Sequence, residues 1–188
     1  DSLKIDGTLK LSESKAHQLF LQNSTLRFQS GSSFVQTSAN TGYGNTFPFV
    51  VSGDRAQLIF AKQANFKLLG ANSIVPNHLT WLQFEKGSNF MHSEPNNFSL
   101  QGNWCSNLIL RGDKEIQLSS HTALDSLIAE QGQLMFSGGY NLSLGGNLHV
   151  KDSATIIFDS TQLGKLLFTG DSALIQVSPS LYCPWPVD

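Results

Sequence analysis

The sequence predicts an all-β protein whose strands stack as a right-handed parallel β-helix, or β-solenoid. Three observations predict it: short apolar-x-apolar triplets, links between them too short for helices, and glycines that recur beside the triplets. Each triplet places two apolar side chains on one face of a strand. Six of them begin 8, 6, 8, 10 and 9 residues apart: Leu134-Met-Phe136, Leu142-Ser-Leu144, Leu148-His-Val150, Ile156-Ile-Phe158, Leu166-Leu-Phe168 and Ile175-Gln-Val177.

The same pattern continues towards the start of the chain. Because the links between neighbouring triplets are short, they leave little room for helices. We therefore expect strands at seven further places: Leu9-Lys-Leu11, Leu19-Phe-Leu21, Leu26-Arg-Phe28, Leu58-Ile-Phe60, Phe66-Lys-Leu68, Leu108-Ile-Leu110 and Ile116-Gln-Leu118.

A longer repeat distinguishes a solenoid from other all-β folds. Leu134, Ile156 and Ile175 stand 22 and 19 residues apart, and Leu142 and Leu166 stand 24 apart. A period near this value is typical of stacked coils that bury their inward side chains on one another. The alternative is an antiparallel sandwich or jelly roll, but its usual Asn-Gly and Asp-Gly hairpin turns are rare here. We interpret the glycines at 132, 138, 139, 145, 146, 164 and 170 as corners.

The best helical window runs from Ser120 to Gln131. Leu124, Leu127 and Ile128 fall at i, i+3 and i+4 there, as one face of a short helix requires. Leu127-Ile-Ala129 also repeats the triplet pattern. We favour a pair of strands over the helix.

The chain is predicted to be one domain spanning residues 1–188. Residues 37–49 and 72–104 interrupt the triplets with small polar residues, prolines and aromatic residues, so we expect loop excursions there. Residues 178–188 hold three prolines, so no strand is expected through them, and we interpret them as a cap over the end of the stack.

Composition argues against several partners. Charged residues are 14% of the chain, the net charge is −2, and the basic residues are scattered, so nucleic acid is an unexpected partner. No apolar stretch has the roughly 20 residues of a membrane helix. The five histidines lack the spacing of zinc motifs, and we expect no metal and no cofactor.

The two cysteines, Cys105 and Cys183, stand 78 residues apart and belong to no CxxC pair. Either they form a disulfide or they are two buried thiols. In an exported chain, closing so long a loop would contribute about 4 kcal/mol in the chain-entropy model.

Stretches such as GNLHVKDSATIIF and GQLMFSGGYNLSLGG, within a neutral chain rich in Ser, Asn and Gly, resemble the β-helical passenger domains of bacterial autotransporters and related secreted adhesins. The resemblance covers residues 105–178 well and residues 1–36 less well. Such passengers are usually longer and poorer in cysteine. The resemblance implies a secreted or cell-surface bacterial protein, an adhesin or virulence factor, that contacts a host or neighbouring cell surface. It carries over no catalytic residue.

One charged strip is a candidate binding site. Asp113 and Glu115 stand two residues apart, and on a strand they would share a face with Arg111, where they could hold an ion or a sugar. Arg111-Gly112-Asp113 is also the tripeptide that integrins recognise at a loop tip. The alternative is a solvated strand entrance with no ligand. The position between two triplets predicts a turn in either case.

Aromatic residues of the excursions form a second candidate. Trp81, Trp104, Tyr43 and Phe90, in or near the excursions, could stack on a sugar or contact a protein. The alternative is an aromatic cluster buried beneath the loops.

No catalytic motif is present, since the chain has no Gly-x-Ser-x-Gly elbow and no Asp-x-Asp pair. We therefore expect a non-catalytic interaction module that binds a protein or glycan on a cell surface. Two alternatives remain open: a carbohydrate-active or carbohydrate-binding β-helix using Arg111, Asp113 and Glu115, and a structural unit that assembles with further β-solenoid segments.

Overall fold

A computed structural model describes residues 2–11, 19–37, 48–69, 81–93, 97–103, 107–158, 164–171, 174–177 and 181–182. The predicted all-β class is confirmed, because these residues form twenty strands and no helix. The strands are β1 (Ser2–Ile5), β2 (Thr8–Leu11), β3 (Leu19–Gln22), β4 (Thr25–Phe28), β5 (Ser33–Gln36), β6 (Phe49–Ser52), β7 (Gln57–Phe60), β8 (Asn65–Leu68), β9 (Leu82–Phe84), β10 (Asn89–His92), β11 (Phe98–Asn103), β12 (Asn107–Arg111), β13 (Lys114–Leu124), β14 (Ser126–Ser137), β15 (Leu142–Leu144), β16 (Leu148–Val150), β17 (Ala154–Phe158), β18 (Leu166–Phe168), β19 (Ile175–Val177) and β20 (Leu181–Tyr182).

Eight of these strands form one continuous parallel ladder, which we call the long ladder. Its order is β2, β5, β8, β10, β12, β14, β16 and β19. Each strand pairs with one that comes much later in the chain: Ser33 is opposite Asn65, and Asn89 is opposite Asn107. Parallel pairing is not the arrangement of an antiparallel sandwich, so that alternative is wrong for the described strands.

Shorter parallel ladders run beside the long one. Strands β1, β4, β7 and β9 form a four-stranded sheet, and β3 pairs with β6. Further along the chain, β13 pairs with β11, β14 and β15, β17 pairs with β14 and β20, and β15 pairs with β18.

The long strand β14 belongs to two ladders. Its residues up to Gln131 pair with β12 and β16, and those from Gly132 onwards pair with β13 and β17. Gly132 has φ +87°, and a Cβ there would lie 2.6 Å from the carbonyl carbon of Gly112. A glycine is needed where the strand changes direction against a neighbouring backbone. This glycine is one of the predicted corners.

The core consists of inward side chains that stack from rung to rung. Phe28, Phe60 and Phe84 form one column, with ring centroids 4.8 and 5.2 Å apart. Phe34, Phe66 and Phe90 form another, at 5.4 and 5.3 Å. Leucine continues the second column, because Leu108 is opposite Phe90, and Leu127 and Leu148 follow it.

All thirteen predicted triplets lie in strands. The Ser120 to Gln131 window is also strand, as favoured, because β13 and β14 cover all of it except the bend at Asp125. Of the long-period pairs, Leu134 is opposite Ile156 and Leu142 is opposite Leu166. The third pair is wrong, since Ile175 lies opposite Leu148 in a different ladder.

The second predicted excursion is wrong where strands lie within it, whereas residues 72–80, 94–96 and 104 lie outside the described residues. Strands β9, β10 and β11 all fall within residues 72–104 and continue the ladders. Leu82-Gln-Phe84 and Phe98-Ser-Leu100 are triplets of the predicted kind, although prolines and aromatic residues stand near them in the sequence. Most of the first excursion, residues 38–47, lies outside the described residues.

Strand β20 runs through the predicted cap. Ile156 and Ile157 pair with Leu181 and Tyr182 respectively, so the expectation of no strand there is wrong at these two residues. The remainder of residues 178–188 lies outside the described part of the chain. Among the described residues, no helix has the length and apolar character needed to cross a membrane.

Candidate binding face

The outward surface of the long ladder is the candidate binding face, and we call it the ladder face. Side chains alternate along each strand, so every second residue points away from the core. The half-buried outward residues Met91, Ile109 and Ile128 lie opposite one another on β10, β12 and β14. The complete central row is Lys10, Val35, Lys67, Met91, Ile109, Ile128, His149 and Gln176.

A column of asparagine side chains borders this row. Asn89 Nδ2 donates to Asn65 Oδ1 at 3.1 Å, and Asn107 Nδ2 donates to Asn89 Oδ1 at 3.0 Å. The column ends at β5, where Asn65 Nδ2 donates to Ser33 Oγ at 3.3 Å. Parallel strands in register hold identical side chains about 4.8 Å apart, which suits amide-to-amide hydrogen bonds.

The asparagine column is interrupted at Ser126, the next residue in register after Asn107. The serine side chain is shorter than an asparagine side chain. Beside it lies a groove of about 360 Å³ on the ladder face. Its walls are formed by Asn107, Ser126, Ile128, Asn147, Leu148, His149, Leu174 and Gln176.

The opposite border of the ladder face is charged. Glu130 accepts hydrogen bonds from Arg111 Nε and from Lys151 Nζ, the second at 2.5 Å. The Glu130 side chain is 16% exposed, while both cations are about half exposed. The Lys151 hydrogen bond, helped by Arg111, holds the pKa of Glu130 below its ordinary value despite the opposing effect of burial.

The structure does not place Arg111, Asp113 and Glu115 on one strand, so the predicted charged strip is wrong in its geometry. Arg111 ends β12, Asp113 lies in a turn and Glu115 belongs to β13. The predicted turn is confirmed by Gly112, which has φ +75°. A positive φ between the two strands turns the chain, so Arg111 is separated from the two acids, whereas Asp113 and Glu115 flank the buried Lys114 and point outward.

Both acids of the predicted strip contact the neighbouring strand β14. Asp113 Oδ1 accepts the backbone N–H of Gln133 at 2.6 Å, and Glu115 Oε1 accepts the Ser137 hydroxyl at 2.8 Å. Arg111 contacts Glu130 of the same strand. Their observed contacts tie adjacent strands together, and a ligand-binding role for the three residues stays a prediction.

Of the four predicted aromatic residues, Trp81 and Phe90 fall among the described residues. Phe90 is fully buried in the core, so it cannot stack on a ligand. Trp81 is the other described residue. It is half-buried and packs against the hydrophobic core, which fits the alternative of an aromatic cluster beneath the surface. Trp104 and Tyr43 lie outside the described residues, as do both cysteines of the disulfide prediction, Cys105 and Cys183.

Sequence reasoning missed the residues of the asparagine column and the groove. A signal was present, because Asn65, Asn89 and Asn107 each immediately precede an apolar residue at the start of a strand. The described residues hold no group of three or more His, Cys, Asp and Glu side chains that could bind a metal ion.

No protein-family model, curated protein or solved structure matches this chain. The ladder face is therefore interpreted from its own chemistry. It combines a half-buried apolar row, an amide column and a charged border whose ions contact one another. Such a surface can bind by shape, apolar contact and hydrogen bonding.

Proposed function

We propose that the chain is a right-handed β-solenoid that acts as a non-catalytic interaction module on a cell surface or in secreted form. The recurrence of three strand segments supports the solenoid. Strand β12 is followed by the first part of β13, which pairs with β14, and by its second part, which pairs with β15. The chain then returns in β14, which pairs with β12 in register. Connections between parallel strands are right-handed in nearly all proteins.

The proposed function is based on the half-buried apolar row of the ladder face. Met91 and Ile109 point outward from paired strands, with Ile128 on the next strand. Outward positions of a solvated sheet are ordinarily polar, and contiguous apolar residues at a surface mark sites of interaction. A stack of paired strands also holds these side chains at fixed spacing, so little order is lost on binding.

The partner that fits is a protein or glycan on a host or neighbouring cell surface. The charges of the border contact one another through Glu130, and the central row offers apolar contact. The neutral composition of the chain supports the same role, since attraction to a strongly charged polymer requires a charged patch. This is the work of an adhesin or a virulence-factor passenger.

Labelled protein binding to cultured epithelial cells and to bacterial cells, measured by flow cytometry, tests the function. We expect saturable binding to at least one of them and an apparent affinity about tenfold weaker for Met91→Glu and for Ile109→Glu. Ile157→Glu is the matched control, because Ile157 is half-buried on β17, outside the long ladder. Absence of binding, or equal weakening by all three variants, would overturn the proposal.

A further inference from the structure

The asparagine column has a direction, and it ends in an open acceptor. Each amide donates towards the preceding strand, so the last one, Asn107, uses its Nδ2 on Asn89. Among the described residues, no group donates a hydrogen bond to Asn107 Oδ1. The next position in register is Ser126, whose Oγ accepts the backbone N–H of Asn147 at 3.2 Å. The acceptor of Asn107 therefore lies at the wall of the groove.

The other polar groups of the groove are also available. Within the described part of the chain, neither the imidazole of His149 nor the side-chain amide of Gln176 makes a hydrogen bond, and both line the groove. They lie opposite each other on β16 and β19. Together with the Ser126 hydroxyl hydrogen, they supply donors that complement the Asn107 acceptor.

Apolar and neutral surface completes the site. Ile128 and Leu174 line the groove, and Leu174 is 59% exposed. No Lys, Arg, Asp or Glu is among the described lining residues. A volume of about 360 Å³ falls within the range of small-ligand sites.

We propose that this groove binds one neutral sugar residue of a saccharide. This inference rests on the proposed function and specifies the class of its ligand. Sugar hydroxyls both donate and accept, so they match Asn107 Oδ1, His149 and Gln176. The C–H face of a sugar ring would lie against Ile128. An acidic sugar would find no cation among the described lining residues.

A peptide strand fits the groove less well. Extended peptides bind proteins by adding to the open edge of a sheet, where backbone N–H and C=O groups are unpaired. Strand β14 is already paired with β12 on one side and β16 on the other, and β16 is paired with β14 and β19. The groove therefore lies over paired backbone, and recognition falls to side chains.

The decisive variant is Ser126→Asn, which continues the asparagine column across the gap. Its Nδ2 would donate to Asn107 Oδ1, and its Oδ1 would accept from the backbone of Asn147, as Asn147 Oδ1 accepts from Leu174 at 3.2 Å. The variant fills the groove with a side chain that the ladder accommodates. Ser143→Asn is the matched control, because Ser143 is half-buried on β15, outside the long ladder.

Saturation-transfer NMR with neutral methyl hexosides, methyl N-acetylhexosaminides and methyl uronates measures the binding. We expect at least one neutral glycoside to bind, with affinity at least about tenfold weaker for Ser126→Asn and for His149→Ala, and unchanged for Ser143→Asn. His149→Ala keeps the test informative if the first variant does not fold.

Three results would overturn the sugar site: no neutral glycoside binds, only uronates bind, or the groove variants bind like the wild type. The cell-binding assay separates this failure from failure of the proposed function. Met91 and Ile109 do not line the groove, so their variants report on the ladder face alone. Cell binding that depends on Met91 and Ile109 in the absence of glycoside binding would retain the interaction module and remove the sugar.

Discussion

Asn89 Nδ2 donates a 3.1 Å hydrogen bond to Asn65 Oδ1 across the parallel pair β8 and β10. Asn107 makes the same bond to Asn89 one strand further on. Parallel register brings identical side chains into line, so one amide serves as acceptor for one neighbour and donor for the other. The column therefore ties β8, β10 and β12 together outside their backbone hydrogen bonds.

Replacing Asn89 with Ala should destabilise the protein by about 1–3 kcal/mol, because two hydrogen bonds are lost and the half-buried amides of Asn65 and Asn107 each lose a partner. Urea unfolding at neutral pH measures the change. Gln117→Ala is the control, since Gln117 is an exposed amide on β13. Equal stabilities of the two variants would contradict a structural role for the column.

Replacing Gly138 with Ala should cost about 1–3 kcal/mol or more. Gly138 has φ +94°, and a Cβ there would lie 2.2 Å from the backbone oxygen of Leu118. Gly139→Ala is a control one residue away, because a Cβ at Gly139 meets no atom within 4 Å. Thermal unfolding should show a clear loss for the first variant and little change for the second. A similar loss of stability at both sites would show that the whole loop, and not the backbone conformation of Gly138, causes the destabilisation.

The local part of this fold could be predicted from the sequence, because alternation with a period of two is a property of a few neighbouring residues. Triplets such as Leu58-Ile-Phe60 therefore predicted strands. Register is not local. The spacing of residues predicts that Ile156 lies opposite Ile175. Ile156 lies opposite Leu181 instead, because the links between strands differ in length.

Predicting the candidate site requires the register between strands even more than predicting the fold does. That Asn65, Asn89 and Asn107 form one column follows only once their three strands are known to align. Ser126 then becomes the gap in that column. The closeness of Arg111 and Asp113 in the sequence predicts a shared strand face. That prediction is wrong because a turn at Gly112 separates β12 from β13.

Replacing Glu130 with Gln should reduce stability at neutral pH by about 1 kcal/mol or less, as befits a network with exposed cations. The pKa of Glu130 is below its ordinary value of 4.5 in the folded protein, so folding favours the ionised form. This stabilisation is fully present above pH 4.5, the ordinary pKa of the group. It is lost as the pH falls through the lower pKa of the folded state.

The difference in unfolding free energy between wild type and Glu130→Gln should therefore narrow as the pH is lowered below 4.5. Urea titrations over that range measure it. Glu85→Gln, which loses the more exposed pair with Arg27, should have a smaller effect at neutral pH. A difference that is constant with pH would show that the charge of Glu130 does not contribute.

Replacing Phe60 with Ala should give the largest loss, about 3–5 kcal/mol, because its ring is fully buried between two others. The ring of Phe28 lies 4.8 Å away and that of Phe84 5.2 Å away, at interplanar angles of 7° and 14°. Removing the middle ring leaves a cavity that the flanking rings, fixed by paired strands, cannot close. Phe60→Leu should lose less, since leucine fills part of that volume.

Phe20→Ala is the matched control, because the Phe20 side chain is 74% exposed on β3. The same chemical change there should alter stability by no more than about 0.5 kcal/mol. Urea unfolding of the three variants, with near-ultraviolet circular dichroism to check native packing, measures the series. If Phe60→Ala cost no more than Phe20→Ala, the phenylalanine column would not be the interior of the stack, and the inward direction of β4, β7 and β9 would have to be reassigned.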